Sequence, residues 1–201
     1  MASLLKKFKE YSSLYRRKPF RLEDCIGEKN INLGCGRRPM EKFVNVDYYA
    51  KDHCDVVADL NEKLPFDSES ADLIYSDNVF EHIEKFLDLI QECYRVLKPG
   101  GYLVVKVPYF KSRHAFTDPT HCNFFNLASF DYYVKGTYAN EYYAFFEECF
   151  SELTIYIDPD KKKWFGRKFM ETYALKRTLK FEMGPLANIS IFSNITYVLK
   201  K

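Results

Sequence analysis

Several residues able to do chemistry stand at the ends of short apolar runs. Gly34-Cys35-Gly36 follows Asn30–Leu33, Asp47 ends the alternating run Phe43–Asp47, and Asp59 ends Asp55–Asp59. Ser76-Asp77-Asn78 follows Ala71–Tyr75. Open α/β sheets bind ligands outside the carboxyl ends of their strands, so this order puts a glycine turn and several acids on one rim. Glycines let a backbone adopt positive φ and approach a ligand closely. An acid after the second strand accepts both hydroxyls of a ribose. An acid after the third, being acceptor-only when ionised, suits an exocyclic amine. Acids also suit a cationic sulfonium better than a pyrophosphate.

A second group of polar residues lies between Pro108 and Phe130, after the next apolar run and on the same rim. It holds His114, Asp118, His121 and Cys122 among aromatic residues. Histidine is the usual general base near neutral pH. His121 and His114 are therefore the candidate catalytic residues, with Asp118 to orient them; a structural hydrogen bond is the competing role for each. His82, just past the fourth strand, is the weaker candidate. His114, Asp118, His121 and Cys122 match no standard zinc spacing, so no metal is expected.

Five of these stretches resemble one family. Leu33-Gly34-Cys35-Gly36 is similar to the first motif of the class I S-adenosylmethionine-dependent methyltransferases, small-substrate type 11-like branch. Asp47 matches its ribose acid, and Ala58-Asp59-Leu60 its adenine-contacting motif. Leu64-Pro65-Phe66 with Phe80-Glu81-His82-Ile83, and Leu97-Lys98-Pro99-Gly100-Gly101, match later stretches. The resemblance covers roughly residues 30 to 110. It implies S-adenosylmethionine as cofactor, held by Asn32, Gly34, Cys35, Gly36, Asp47, Asp59, Leu60, Ser76, Asp77 and Asn78. Two positions depart from the pattern: Asn32 stands where an acid is usual, and Arg38 where a third glycine is frequent.

The elements that must position these residues form an α/β pattern. The expected fold is a Rossmann-like, mostly parallel sheet with helices on both faces and an antiparallel edge strand near the C-terminus. Phe86, Leu87, Leu89, Ile90, Cys93, Tyr94 and Leu97 fill one face of a helix that Pro99-Gly100-Gly101 stops. Tyr102–Val107 reads as a buried central strand. Phe150–Asp158 and Ile189–Leu199 read as two further strands, with a basic helix over 167–181 between them. The gap from Gly36 to Phe43 is too short for an ordinary crossover, so the first crossover helix is expected to be short or missing.

The 201 residues are expected to form a single domain (1–201). Within it, 1–24 is a basic amphipathic helix, 28–110 the cofactor-binding half and 111–201 the substrate-side half. The six cysteines include no CxxC pair and no long apolar run is present, which points to a cytoplasmic chain without disulfides. Net charge is +2, yet 1–24 carries seven Lys/Arg against three Asp/Glu, and 161–180 eight against one. These patches are read as solvated surface, with nucleic acid or peripheral membrane contact as the alternatives. The expected function is methyl transfer to a small-molecule or glycan acceptor. The competing readings are an RNA methyltransferase using 161–180 and a non-catalytic binding or assembly module.

Overall fold

The computed structural model describes residues 20–49, 53–159, 167–176, 178–188 and 192–201. Its frame is one seven-stranded sheet of order β3-β2-β1-β4-β5-β7-β6. The strands are β1 Asn30–Leu33, β2 Phe43–Asp47, β3 Val56–Val57, β4 Ala71–Asp77, β5 Leu97–Pro108, β6 Glu152–Pro159 and β7 Phe192–Lys200. β1 to β5 pair parallel, and β7 runs antiparallel between β5 and β6. The antiparallel strand therefore stands one place in from the edge, which β6 occupies.

Alternation along the strands sorts their side chains to two faces. Ile31, Leu33, Val46, Ile74, Leu103, Val105, Ile195 and Tyr197 all enter the larger core cluster. Helix α1, Phe86–Val96, covers that face and buries Leu89, Ile90, Cys93 and Val96 at helical spacing. Each such aliphatic side chain contributes roughly 1.5–3 kcal/mol on burial. Three smaller helices follow: α2 His114–Thr117, α3 Tyr138–Tyr143 and α4 Arg167–Lys176; α5 Thr178–Glu182 comes last. Met170 and Ala174 of α4 and Phe181 of α5 also enter the larger cluster.

The opposite face is thinner. Its buried residues are Phe43, Leu73 and Val104, and Phe20, Leu22, Cys25 and Met40 pack over them. A 3-10 turn, Leu22–Asp24, is the helical element of that covering among the described residues. The chain passes from β1 to β2 through turns alone, so the first crossover helix is missing, as the short gap required. The amphipathic N-terminal helix expected over 1–24 lies, up to residue 19, outside the described residues. The basic helix expected at 167–181 is present as α4 and α5; residues 161–166 of the basic stretch, and 177, are likewise outside them.

The β3–β4 connection is fixed to α1 by one ion pair. Glu92 accepts from Arg95 through both carboxylate oxygens, at 2.8 and 2.7 Å. Arg95 also donates to the carbonyls of Phe66 and Leu64, and Glu92 accepts from the Leu64 amide. The Arg95 hydrogen bond holds the Glu92 carboxyl below its ordinary range. This bidentate geometry is the physical content of the Leu64-Pro65-Phe66 stretch.

Candidate active site

The glycine turn forms at the end of β1 because its backbone can do what other residues resist. Gly34 has φ +70° and Gly36 +54°. The Gly34 and Cys35 amides both donate to the Val46 carbonyl, at 2.8 and 3.0 Å. A Cβ on Gly34 would overlap the methyls of Val79, whereas one on Gly36 would meet nothing within 4 Å. Gly34 is thus required for close packing, and Gly36 leaves open space over the turn.

Asp47 closes this cradle. One carboxylate oxygen accepts from the Gly36 amide at 2.8 Å and the other from the Tyr49 amide at 2.8 Å. Asp59 is exposed at the end of β3, where one of its oxygens accepts from the Asn61 amide and side chain. Leu60 beside it is buried. The open space over Gly36 and the acceptor-rich rim fit a ligand that brings hydroxyls, an amine and a positive charge.

Other expected cofactor residues have structural duties. Asn32 is 4% exposed and donates to Asn45 Oδ1 at 3.0 Å. Asn45 Oδ1 also accepts from the Met40 amide, while Asn45 Nδ2 donates to the carbonyls of Met40 and Phe43. A carboxylate at position 32 would set oxygen against oxygen here, which accounts for the amide in place of an acid. Ser76 is fully buried and donates to the Leu33 carbonyl, tying β4 to β1. Asp77 accepts from Tyr75, Asn78 and Lys106. Cys35 is buried, and burial followed by the nearby Asp47 raises its thiol pKa, so it is a packing residue. Asn78, at φ +56°, turns the chain away from β4.

That same turn opens onto a cavity of about 620 Å³. His114, Asp118 and His121 all line it, so the structure brings together the three residues expected to be catalytic. Glu81, His82 (the weaker candidate) and Asn78 line it as well. Ring centroids of His82 and His121 are 4.6 Å apart in an edge-to-face arrangement. The loop carrying His121 is held to the turn carrying Glu81 by main-chain bonds: the Cys122 and Asn123 amides donate to the Glu81 carbonyl at 2.8 and 3.1 Å. Asn123 Nδ2 donates to the carbonyls of Phe80 and Ile83.

The orienting roles differ from the expected ones. Asp118 accepts from the Thr120 hydroxyl at 2.7 Å, and Thr120 Oγ1 lies 2.8 Å from His82 Nδ1. Asp118 therefore orients His82 through Thr120. His121 is oriented instead by the Ala115 carbonyl, 2.9 Å from its Nδ1. Bonds from Thr120 hold the Asp118 carboxyl below its usual range. Burial, then the neighbouring His121, lowers the His82 pKa. His114 is exposed on the four-residue helix α2.

Glu81 is the residue that sequence reasoning named without a role. It is 1% exposed, and neither carboxylate oxygen has a hydrogen-bond partner. Burial pushes its carboxyl up to about 7. The available signal was a glutamate set between Phe80 and Ile83, both buried here, beside a histidine.

Residues 34–105 match the family model described as Methyltransferase domain, of type 11. A probable S-adenosylmethionine-dependent methyltransferase of Mycolicibacterium smegmatis is 25% identical over 142 residues, 60% of this chain and 54% of that protein. A malonyl-(acyl-carrier protein) O-methyltransferase of Marinomonas sp. is 46% identical over 43 residues, 21% of this chain and 16% of that protein. This chain thus spans about half the length of the first relative and far less of the second. A SAM dependent methyltransferase from Archaeoglobus fulgidus shares the fold, with TM-score 0.57 and 17% identity over 100% of this chain and 95% of that one. Residues 34–105 of this chain thus resemble a methyltransferase domain, and the chain shares its fold with a SAM dependent methyltransferase.

Proposed function

We propose that the chain transfers a methyl group from S-adenosylmethionine to a small molecule or glycan held in the cavity beside Asn78. The carrying observation is the adjacency of two sites: Val79 packs on Gly34, and Asn78, one residue before, lines the cavity. S-adenosylmethionine, when bound, supplies an electrophilic methyl on a sulfonium sulfur that leaves as a neutral thioether. Asp47 receives the ribose hydroxyls, Asp59 the adenine amine, and Gly36 leaves room for the ligand backbone. The cavity wall aligns the acceptor lone pair with the methyl carbon, which is where most of the rate gain arises. A hydroxyl acceptor gives its proton to an imidazole of His114 or His121 as the new bond forms, and an ammonium acceptor gives it up before its nitrogen attacks.

The reading is tested by following S-adenosylhomocysteine formation with a panel of hydroxylated and amino acceptors. It expects turnover that depends on the acceptor and falls about 10²-fold or more when the responsible imidazole is removed, as His114→Ala or His121→Ala. Acceptor-independent release at the same rate in wild type and both variants would count against it.

A further inference from the structure

The cavity floor carries three groups arranged for a charge that methyl transfer itself does not require. Among the described residues, Glu81, His82 and His121 each place one ligand-type atom within 4.8 Å of the others. The Ala115 carbonyl can only accept, so His121 Nδ1 donates to it, and Nε2 is the nitrogen left to bind in the neutral ring. The Thr120 hydroxyl donates to Asp118, so its oxygen accepts from His82 Nδ1, and Nε2 is likewise the nitrogen left in the neutral His82 ring. Glu81 adds a buried carboxyl group whose two oxygens have no hydrogen-bond partner. Two imidazoles and a carboxyl group converge here.

We infer that Glu81, His82 and His121 bind a divalent first-row transition-metal ion at the floor of this cavity. Two histidines and one carboxylate are a donor set for such ions, and three protein ligands leave coordination positions for water or substrate. Each ligating histidine already has the outer partner such sites use: Ala115 for His121, and Thr120 backed by Asp118 for His82. The rigid tie of Cys122 and Asn123 to the Glu81 carbonyl keeps the two ligand-bearing segments in register. All three residues line the cavity, so a metal ion held by them would ease the loss of a proton from an acceptor hydroxyl bound beside it. His114, outside the ligand set, is then the imidazole left to take that proton. The acceptor role rests on the proposed methyl transfer; metal binding does not.

The test is titration of the full, metal-stripped chain with Co²⁺, read by visible absorption. The expected result is one bound ion with ligand-field bands and no thiolate charge-transfer band. Glu81→Gln and His121→Ala should weaken binding by about tenfold or more, and His114→Ala should leave it within about twofold. If Glu81→Gln fails to fold, the less buried His82→Gln takes its place, and the wild-type spectrum decides independently. Folded wild type that binds no Co²⁺ at millimolar concentration would overturn the proposal. So would a thiolate band, or binding unchanged in the ligand variants. S-adenosylhomocysteine binding measured on the same stripped sample separates this failure from failure of the methyltransferase reading.

Discussion

At the residue scale, Gly34 and Gly36 look alike in sequence and do different work. Alanine at either must adopt a left-handed backbone, which costs about 1–2 kcal/mol. Alanine at 34 must also displace Val79, adding roughly 1–3 kcal/mol of overpacking. Urea denaturation should therefore show Gly34→Ala as the more destabilising of the two, and Gly36→Ala as a milder change that weakens cofactor binding by filling open space. Equal stability losses would mean that Val79 yields freely. Asp47→Ala removes the acceptor that holds the Gly36 amide and, in the proposed function, the ribose. Charged hydrogen bonds of this kind are worth about 1.5–3 kcal/mol, so affinity for S-adenosylhomocysteine should fall about tenfold or more in calorimetry. These residues were legible because their signals are local: a glycine turn after one strand, an acid at the end of the next. Glu81 was not legible as part of a cluster. Its neighbour His121 lies on another segment, and bonds from Cys122 and Asn123 to the main chain of the Phe80–Ile83 turn bring the two together.

At the element scale, α1 is both a core helix and a clamp. Its apolar spacing and its Pro-Gly-Gly stop are plain in the sequence, and the helix ends at Val96, with Leu97 already extended. The clamp through Arg95 and Glu92 could not be read, because its targets are main-chain carbonyls about thirty residues earlier. Removing the guanidinium takes a donor from both carbonyls and leaves the Glu92 carboxylate with the Leu64 amide. Arg95→Ala should cost about 1–3 kcal/mol in chemical denaturation, with the denaturant slope unchanged. A loss under about 0.5 kcal/mol would show that water replaces the clamp without penalty. The C-terminal strands show a similar limit. Each was visible as an apolar run, but the insertion of β7 between β5 and β6 depends on pairing across about ninety residues in one direction and about forty in the other.

At the scale of the whole molecule, the two faces of the sheet are unequal. One carries α1, α4, α5 and nearly all of the buried core, while the described cover of the other is Phe20, Leu22, Cys25 and Met40. Losing the first crossover helix brings β2 within a few turns of the glycine loop. It leaves Asn32, Asn45 and Met40 to fasten the connection by side-chain bonds. In the proposed function, the rim above this fastening holds the cofactor and the cavity beside it holds the acceptor. Isothermal titration of the folded chain with S-adenosylhomocysteine tests that account most directly. It predicts saturable one-to-one binding with a dissociation constant well below about 1 mM, weakened by Asp47→Ala. A folded wild-type sample that gives no binding at millimolar ligand would contradict it.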